Sequence, residues 1–243
     1  MRLDALFATG ERDLTLAELP LPCDLDALVA GGPWEVELGF GKGRFLLERA
    51  AAHRQRRFLG VEVASKYFRM ARGRARRRGL DNVLLVRGEA LYLLSAVLPA
   101  GFAAAVHVYF PDPWPKSRHH KRRLFDPETV DLVLGLLRPA PSGGIGGEST
   151  GGELFFATDF LDYGELVTEI LEGFPGLGVE RLDGPWPDGA RTNYEAKYVA
   201  VGRPILRLHG VLAAGGSAAG APEAAGRLHP AGRCGILVAP RLP

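Results

Sequence analysis

The sequence predicts an α/β fold: a mainly parallel sheet, doubly wound, with helices on both faces. Three observations predict it. Short apolar runs alternate with longer stretches of helix formers along most of the chain. The runs are nearly continuous in Val, Leu, Phe and Ala, as strands buried on both faces are, with little apolar–polar alternation. A glycine-rich turn, GFGKG, follows the first run directly and opens the first helical stretch. In sheets of this kind ligands bind beyond the carboxyl ends of the strands, so the polar residues just past those ends are the first place to look for chemistry.

The elements follow in order. WEVEL, Trp34 to Leu38, is the first strand, and RFLLERAAAHR from Arg44 is the first helix. RFLGVEV, Arg57 to Val63, is the second strand. Ser65 and Gly79 bracket the second helix as N-cap and C-cap residues. NVLLVRG is the third strand and EALYLLSAVL a short helix, and AAAVHVYF is the fourth strand. Asp126 to Arg138 reads as a helix, with an Asp cap and Pro127 at its first position. GELFFATD is the fifth strand, YGELVTEILEG the fifth helix, and YEAKYVAVG an alternating last strand. Ala140 to Gly152 is a Gly/Ser-rich insertion, longer than such connections usually are. From Ile205 the sequence turns to Ala, Gly and Pro without a steady period. Residues 205–243 therefore read as a disordered tail whose removal leaves activity intact, and 1–204 as the catalytic unit with its core over 34–204.

Composition narrows the class. The chain has 243 residues and 47% hydrophobic content, with no apolar run long enough to span a bilayer. The N-terminus is broken by charges, which argues against a secretory leader. Cys23 and Cys234 are far apart, with no paired-cysteine or His/Cys spacing. That predicts a reducing, cytoplasmic setting and no structural metal. The net charge of +2 hides two basic clusters: Lys66 to Arg78, with six arginines, and Lys116, Arg118, Lys121, Arg122 and Arg123. A polyanion responds to local density of this kind more than to the net charge.

The turn after the first strand places Gly39, Gly41 and Gly43 where a ligand can approach the backbone. Glu62 ends the second strand, where a carboxylate can accept both hydroxyls of a ribose. This much is shared by dinucleotide enzymes and by methyltransferases that use S-adenosylmethionine. The GxGxG spacing and two further acids favour the second. Glu89, after the third strand, is placed for an adenine amino group, and Glu37, before the glycines, for an ammonium. Three carboxylates suit a ligand of net positive charge and repel a pyrophosphate.

The motifs ELGFGKG, GVEV, YFPDPWPKSRHHKRRL, FATDF with Tyr163, and RTNYEAKY resemble, in this order, those of the tRNA (guanine-N7-)-methyltransferases, over about Trp34 to Pro204. The resemblance implies a Rossmann-like class I methyltransferase fold, mostly parallel with an antiparallel last strand. It also implies methyl transfer from S-adenosylmethionine to N7 of a guanine in the variable loop of tRNA. Carried over by position, Glu37, Glu62, Glu89 and Asp112 would line the methyl-donor pocket. Lys116, Asp159, Thr192, Asn193, Tyr194 and Glu195 would meet the guanine, and Asp112 would stand nearest the chemistry. Glu89 departs from the family's usual Asp by one methylene. Arg118, Arg122 and Arg123 are then candidate phosphate contacts, with tRNA as the partner of a monomer or homodimer.

Two readings compete with this one: a methyltransferase of small molecules or proteins, and an RNA-binding module with a vestigial pocket. The basic clusters and the Thr192–Glu195 motif oppose the first. The intact glycine turn with Glu37 and Glu62 opposes the second.

Overall fold

A computed structural model describes residues 6–8, 13–15, 23–116, 118, 123–127, 129–139 and 151–213. Lys121 and Arg122 of the basic string, residues 140–150 of the insertion and residues 214–243 of the expected tail lie outside the described residues. Among the described residues, nine strands form one sheet in the order β2-β1-β5-β4-β3-β6-β7-β9-β8. The strands are β1 (Leu6–Ala8), β2 (Asp13–Thr15), β3 (Trp34–Leu38), β4 (Arg57–Glu62), β5 (Val83–Arg87), β6 (Ala103–Tyr109), β7 (Glu153–Thr158), β8 (Leu177–Arg181) and β9 (Leu206–Leu212). The five strands from β3 to β7 are mutually parallel, while β1, β2, β8 and β9 join through antiparallel pairs. The chain builds outward from β3 through β4 to β5, then returns to place β6 on the other side of β3. Beyond the carboxyl ends of β3 and β6 there is thus a crevice, where sheets of this kind bind ligands.

Helices α1 (Arg44–Ala52) and α2 (Ser65–Arg77) bury Phe45, Leu46, Ala50, Phe68 and Ala71, the last four in a cluster with Phe58 and Leu85. Helices α3 (Ala90–Ala96), α4 (Val130–Leu134) and α5 (Leu161–Glu172) enter the larger core with Val36, Val106 and Phe156. At Gly60 on β4 an added Cβ would come within 2.4 Å of Leu46, so the turn and α1 can sit this close to the sheet only because that strand position is glycine.

Three expectations are corrected. Residues 194–202, read as the last strand, lie largely in α6 (Asn193–Ala200). The alternation misleads because Tyr194 and Tyr198 are also spaced one helical turn apart. Thr192 caps the helix, accepting from the Glu195 N–H at 3.0 Å, while Glu195 accepts from the Arg191 N–H at 2.8 Å. The Thr-x-x-Glu signature of a capping box was present in the sequence. The antiparallel closing strand is instead β9, inside the segment assigned to the tail. Leu206, Leu208 and Leu212 enter the apolar core while Arg207 and His209 face the other side, so β9 is an alternating strand masked by the Ala/Gly sequence after it. Helix α4 is also shorter than Asp126–Arg138. Asp126 caps the preceding turn, accepting from the Thr129 N–H at 2.9 Å, and the helix starts at Val130.

Candidate active site

The glycine turn departs from β3 with left-handed backbone at Gly39 (φ 78°), Gly41 (φ 52°) and Gly43 (φ 71°). A Cβ at Gly39 or Gly41 would meet nothing within 4 Å, so the backbone there faces open space. The space at Gly39 belongs to a cavity of about 380 Å³, within the range of small-ligand sites; Gly41 and Gly43 do not line it. Glu62, Tyr67, Glu89, Phe110, Asp112 and Trp114 are among its walls. Four of the predicted residues, Gly39, Glu62, Glu89 and Asp112, therefore meet in one place.

The acids of the pocket are held differently. Glu62 is nearly buried, and its two oxygens accept from the Gly41 and Ala64 N–H groups, each at 2.8 Å. This locks the glycine turn onto β4 and fixes the carboxylate, whose remaining lone pairs face the cavity. Glu89 caps α3, accepting from the Tyr92 N–H at 2.8 Å through one oxygen. Glu37 lies beneath the turn, 2% exposed, with Oε2 lacking any hydrogen-bond partner among the described residues. Burial pushes its carboxyl up to about 8; the Leu46 amide opposes the rise and the neighbouring Glu62 charge adds to it. Glu37 is thus a buried acid next to Glu62 with one oxygen unpartnered among the described residues, and it is not itself one of the cavity walls.

Asp112 is exposed at the mouth of the cavity. Phe110 (φ 53°) and Trp114 (φ 39°) flank it, both non-glycine residues in left-handed backbone. Such conformations cost of order 1–3 kcal/mol each and persist where the surroundings impose them. The prolines at 111 and 113 fix their own φ angles, and Pro113 also disfavours helical backbone at Asp112. Trp114 forms part of the cavity wall.

Arg123, assigned above to phosphate, is turned inward as the brace of this loop. Its Nε donates to the Pro113 carbonyl at 2.8 Å and its guanidinium lies 4.8 Å from the Tyr163 ring centre, leaving the residue 7% exposed. A cation spent on carbonyls and an aromatic face does not reach solvent. Lys116 and Arg118 are exposed.

The α6 motif lies beside the same strand end. Phe110, Tyr194 and Tyr198 form an aromatic cluster with ring centres 5.8–6.3 Å apart. Asn193 and Tyr194 are exposed, and Tyr194 is 58% exposed. Glu195, expected at the guanine, is fully buried, held by Arg207 at 2.8 Å and by the cap of α6. It anchors the motif and presents nothing to a ligand. Asp159 pairs with Arg203 at 2.8 Å near the surface.

Sequence reading missed Phe110 and Tyr198 as a pair with Tyr194, although aromatics at i and i+4 on a helix were the available signal. It also missed a buried relay behind them. The Arg191 guanidinium sits 4.3 Å from the Trp186 ring centre and donates to the Tyr109 hydroxyl at 2.7 Å. Tyr109 and His107 are in turn joined at 2.9 Å, and His107 Nε2 meets Glu35 at 3.2 Å. The tautomer that satisfies both contacts carries its proton on Nε2. Burial depresses His107 to about 4, keeping the ring neutral. Burial also opposes ionisation of Glu35, but hydrogen bonds from His107 and Arg49 hold that carboxyl well below its usual range. This relay fixes the segment that leads into Thr192 against β6.

A family model described as "Putative methyltransferase" matches residues 32–208. A tRNA (guanine-N(7)-)-methyltransferase from Alkalilimnicola ehrlichii is 37% identical over 194 residues, 77% of this chain and 76% of the relative. One from Thiobacillus denitrificans is 37% identical over 84% of this chain and 86% of its own length, and one from Nitrosococcus oceani is 36% identical over 67% and 64%. Among solved structures, the 16S rRNA methyltransferase KamB superposes with a TM-score of 0.59 at 14% identity, over 86% of this chain and 99% of that one. A single-residue variant of the 16S rRNA (adenine(1408)-N(1))-methyltransferase from Catenulisporales acidiphilia, with cosubstrate SAM, gives 0.55 at 16% identity, over 86% and 96%. At these identities the structural likeness bears on the fold.

Proposed function

The chain belongs to the tRNA (guanine-N7-)-methyltransferase family, and from that membership we propose that it methylates N7 of a guanine in the tRNA variable loop, with S-adenosylmethionine as donor. The observation that carries the reading is the placement of Asp112 at the mouth of a pocket whose other acids are Glu62 and Glu89, next to the aromatic cluster of Phe110 with α6. The pocket fits this donor: open space against the glycine backbone, an orphaned carboxyl oxygen on Glu37, and a volume of about 380 Å³.

In the proposed arrangement Glu62 accepts the ribose hydroxyls, the free oxygen of Glu89 takes the adenine amino group, and Glu37 balances the ammonium. S-adenosylmethionine supplies an electrophilic methyl group on a sulfonium centre. Guanine N7 already carries a lone pair, so no residue has to remove a proton to create the nucleophile. Methylation instead places positive charge on the base, and the Asp112 carboxylate stabilises that charge as it develops. The flanking prolines and the Arg123 brace hold the carboxylate in place before the substrate arrives. Phe110 and Tyr194 offer ring faces to a guanine swung out of its stack, with Lys116 and Asp159 at the rim. Asn193 and Tyr194 carry the recognition role of the α6 motif, and Thr192 and Glu195 hold it.

We place the catalytic unit from the N-terminal strands through β9, and the reaction in a reducing cytoplasm, which suits the free buried thiol of Cys23. No described helix is long and apolar enough to cross a membrane. The test is incubation with labelled S-adenosylmethionine and unmodified tRNA, followed by aniline cleavage, which reports N7-methylguanine. A single cleavage at a variable-loop guanine is expected. Label appearing only in small molecules or protein, with none in tRNA, would refute the reading.

A further inference from the structure

The cations of α2 take no part in the pocket described above, and the structure divides them. Arg72 and Arg76 both pair with Asp13 of β2. Arg74 and Arg78 line a separate cleft of about 240 Å³, together with Arg44 and Glu48 of α1, the backbone of Gly43, and Asn193 of α6. Arg74 is anchored there, its Nη1 donating to the Lys42 carbonyl at 2.8 Å. The Arg78 side chain has no hydrogen-bond or ion-pair partner among the described residues. Arg44 meets Glu48 at 3.4 Å with both side chains partly exposed, a pairing worth little in water. Three guanidinium groups thus converge with one carboxylate among them. Guanidinium forks match the oxygens of a phosphate.

The position of the cleft narrows the ligand further. Gly43 is the last glycine of the turn whose first glycine borders the acid pocket, and Asn193 immediately precedes Tyr194, which packs on Phe110. A polymer with one base at Asp112 can therefore pass a neighbouring phosphate across α1 and α2. We propose that this cleft seats a backbone phosphodiester of the substrate RNA and so helps position the target guanine. The inference rests on the reading of the chain as a tRNA methyltransferase and adds a binding subsite to it.

The test compares the full chain with the Arg44→Ala/Arg78→Ala double variant and with Arg77→Ala, which lies on the same helix outside the cleft. Binding of unmodified tRNA is measured across a salt series, alongside methyl-transfer kinetics. The double variant should lower the slope of log K against log salt by about one. It should raise KM for tRNA several-fold while KM for S-adenosylmethionine and the thermal midpoint stay unchanged. Lysines at both positions should restore part of the slope, and Arg77→Ala should change it less. An unchanged slope with ordinary KM for tRNA overturns the proposal, as does an equal effect from Arg77→Ala. Thermal stabilisation of the wild type by inorganic phosphate, lost in the double variant while the tRNA slope holds, assigns the cleft to a free anion and also overturns it. Wild-type protein that methylates no tRNA would defeat the functional reading itself, an outcome distinct from any behaviour of the variants.

Discussion

At the scale of single residues, the role proposed for Glu37 as partner of the donor's ammonium has a pH signature. Its carboxyl is raised to about 8 in the folded chain, against an ordinary value of 4.5. A raised acid favours the fold most where it is protonated, so its contribution is fully present below its unfolded value and declines as pH rises from there towards 8. An ammonium placed beside it demands the carboxylate. Affinity for S-adenosylmethionine should therefore fall by up to about tenfold per unit as pH drops below 8, with proton release on binding. Calorimetry in buffers of different ionisation heat checks this. Glu37→Gln should weaken binding and remove the proton release, and a variant that still releases the proton would move the effect to another group. The acids of this pocket were legible from the sequence because strand ends and a glycine turn place them. The inward turns of Arg123 and Glu195 were not. Both residues look like surface charges in a basic or polar string, and only the sheet shows which carbonyls and which arginine they meet.

At the scale of elements, α6 shows how local and tertiary signals compete. Its alternating apolar residues suit a strand, while its capping box and paired tyrosines suit a helix, and the burial of Glu195 against Arg207 of β9 settles the contest. Removing one member of a buried pair leaves the other uncompensated, so Glu195→Ala should cost about 3–5 kcal/mol of stability. Denaturant unfolding measures it. Unchanged stability with lost tRNA binding would instead assign Glu195 to the substrate. Tyr194→Ala should act differently, because the ring is exposed: a stacking contact is worth about 1–3 kcal/mol per base. Loss of that size in tRNA affinity, with S-adenosylmethionine affinity intact, is the expected result, and equal loss of both would show that α6 shapes the donor pocket instead.

For the molecule as a whole, the alternation of strands and helices was readable from Trp34 to Gly173 because each buried strand is a dense apolar run between turn residues. The antiparallel edges were not. Strand β8 is short and half polar, β1 and β2 have three residues each, and β9 runs into a low-complexity sequence that disguises it. The consequence reverses one expectation about truncation. β9 lies between β7 and β8, so a chain ending at Pro204 should fail to fold, whereas one ending after Ala213 keeps every described element. Limited proteolysis and circular dichroism of the two truncations distinguish these outcomes, and a folded, active 1–204 chain would remove β9 from the essential unit. Above all, the assembled sheet presents Asp112 at the mouth of the proposed donor pocket, at the switch between β3 and β6. The most direct measurement of that role is single-turnover methyl transfer to tRNA by Asp112→Ala, set beside its tRNA dissociation constant. A rate reduced by about 10²-fold or more, with tRNA affinity nearly unchanged, is the predicted result. Transfer at the wild-type rate, or a loss traced wholly to weaker tRNA binding, would contradict it.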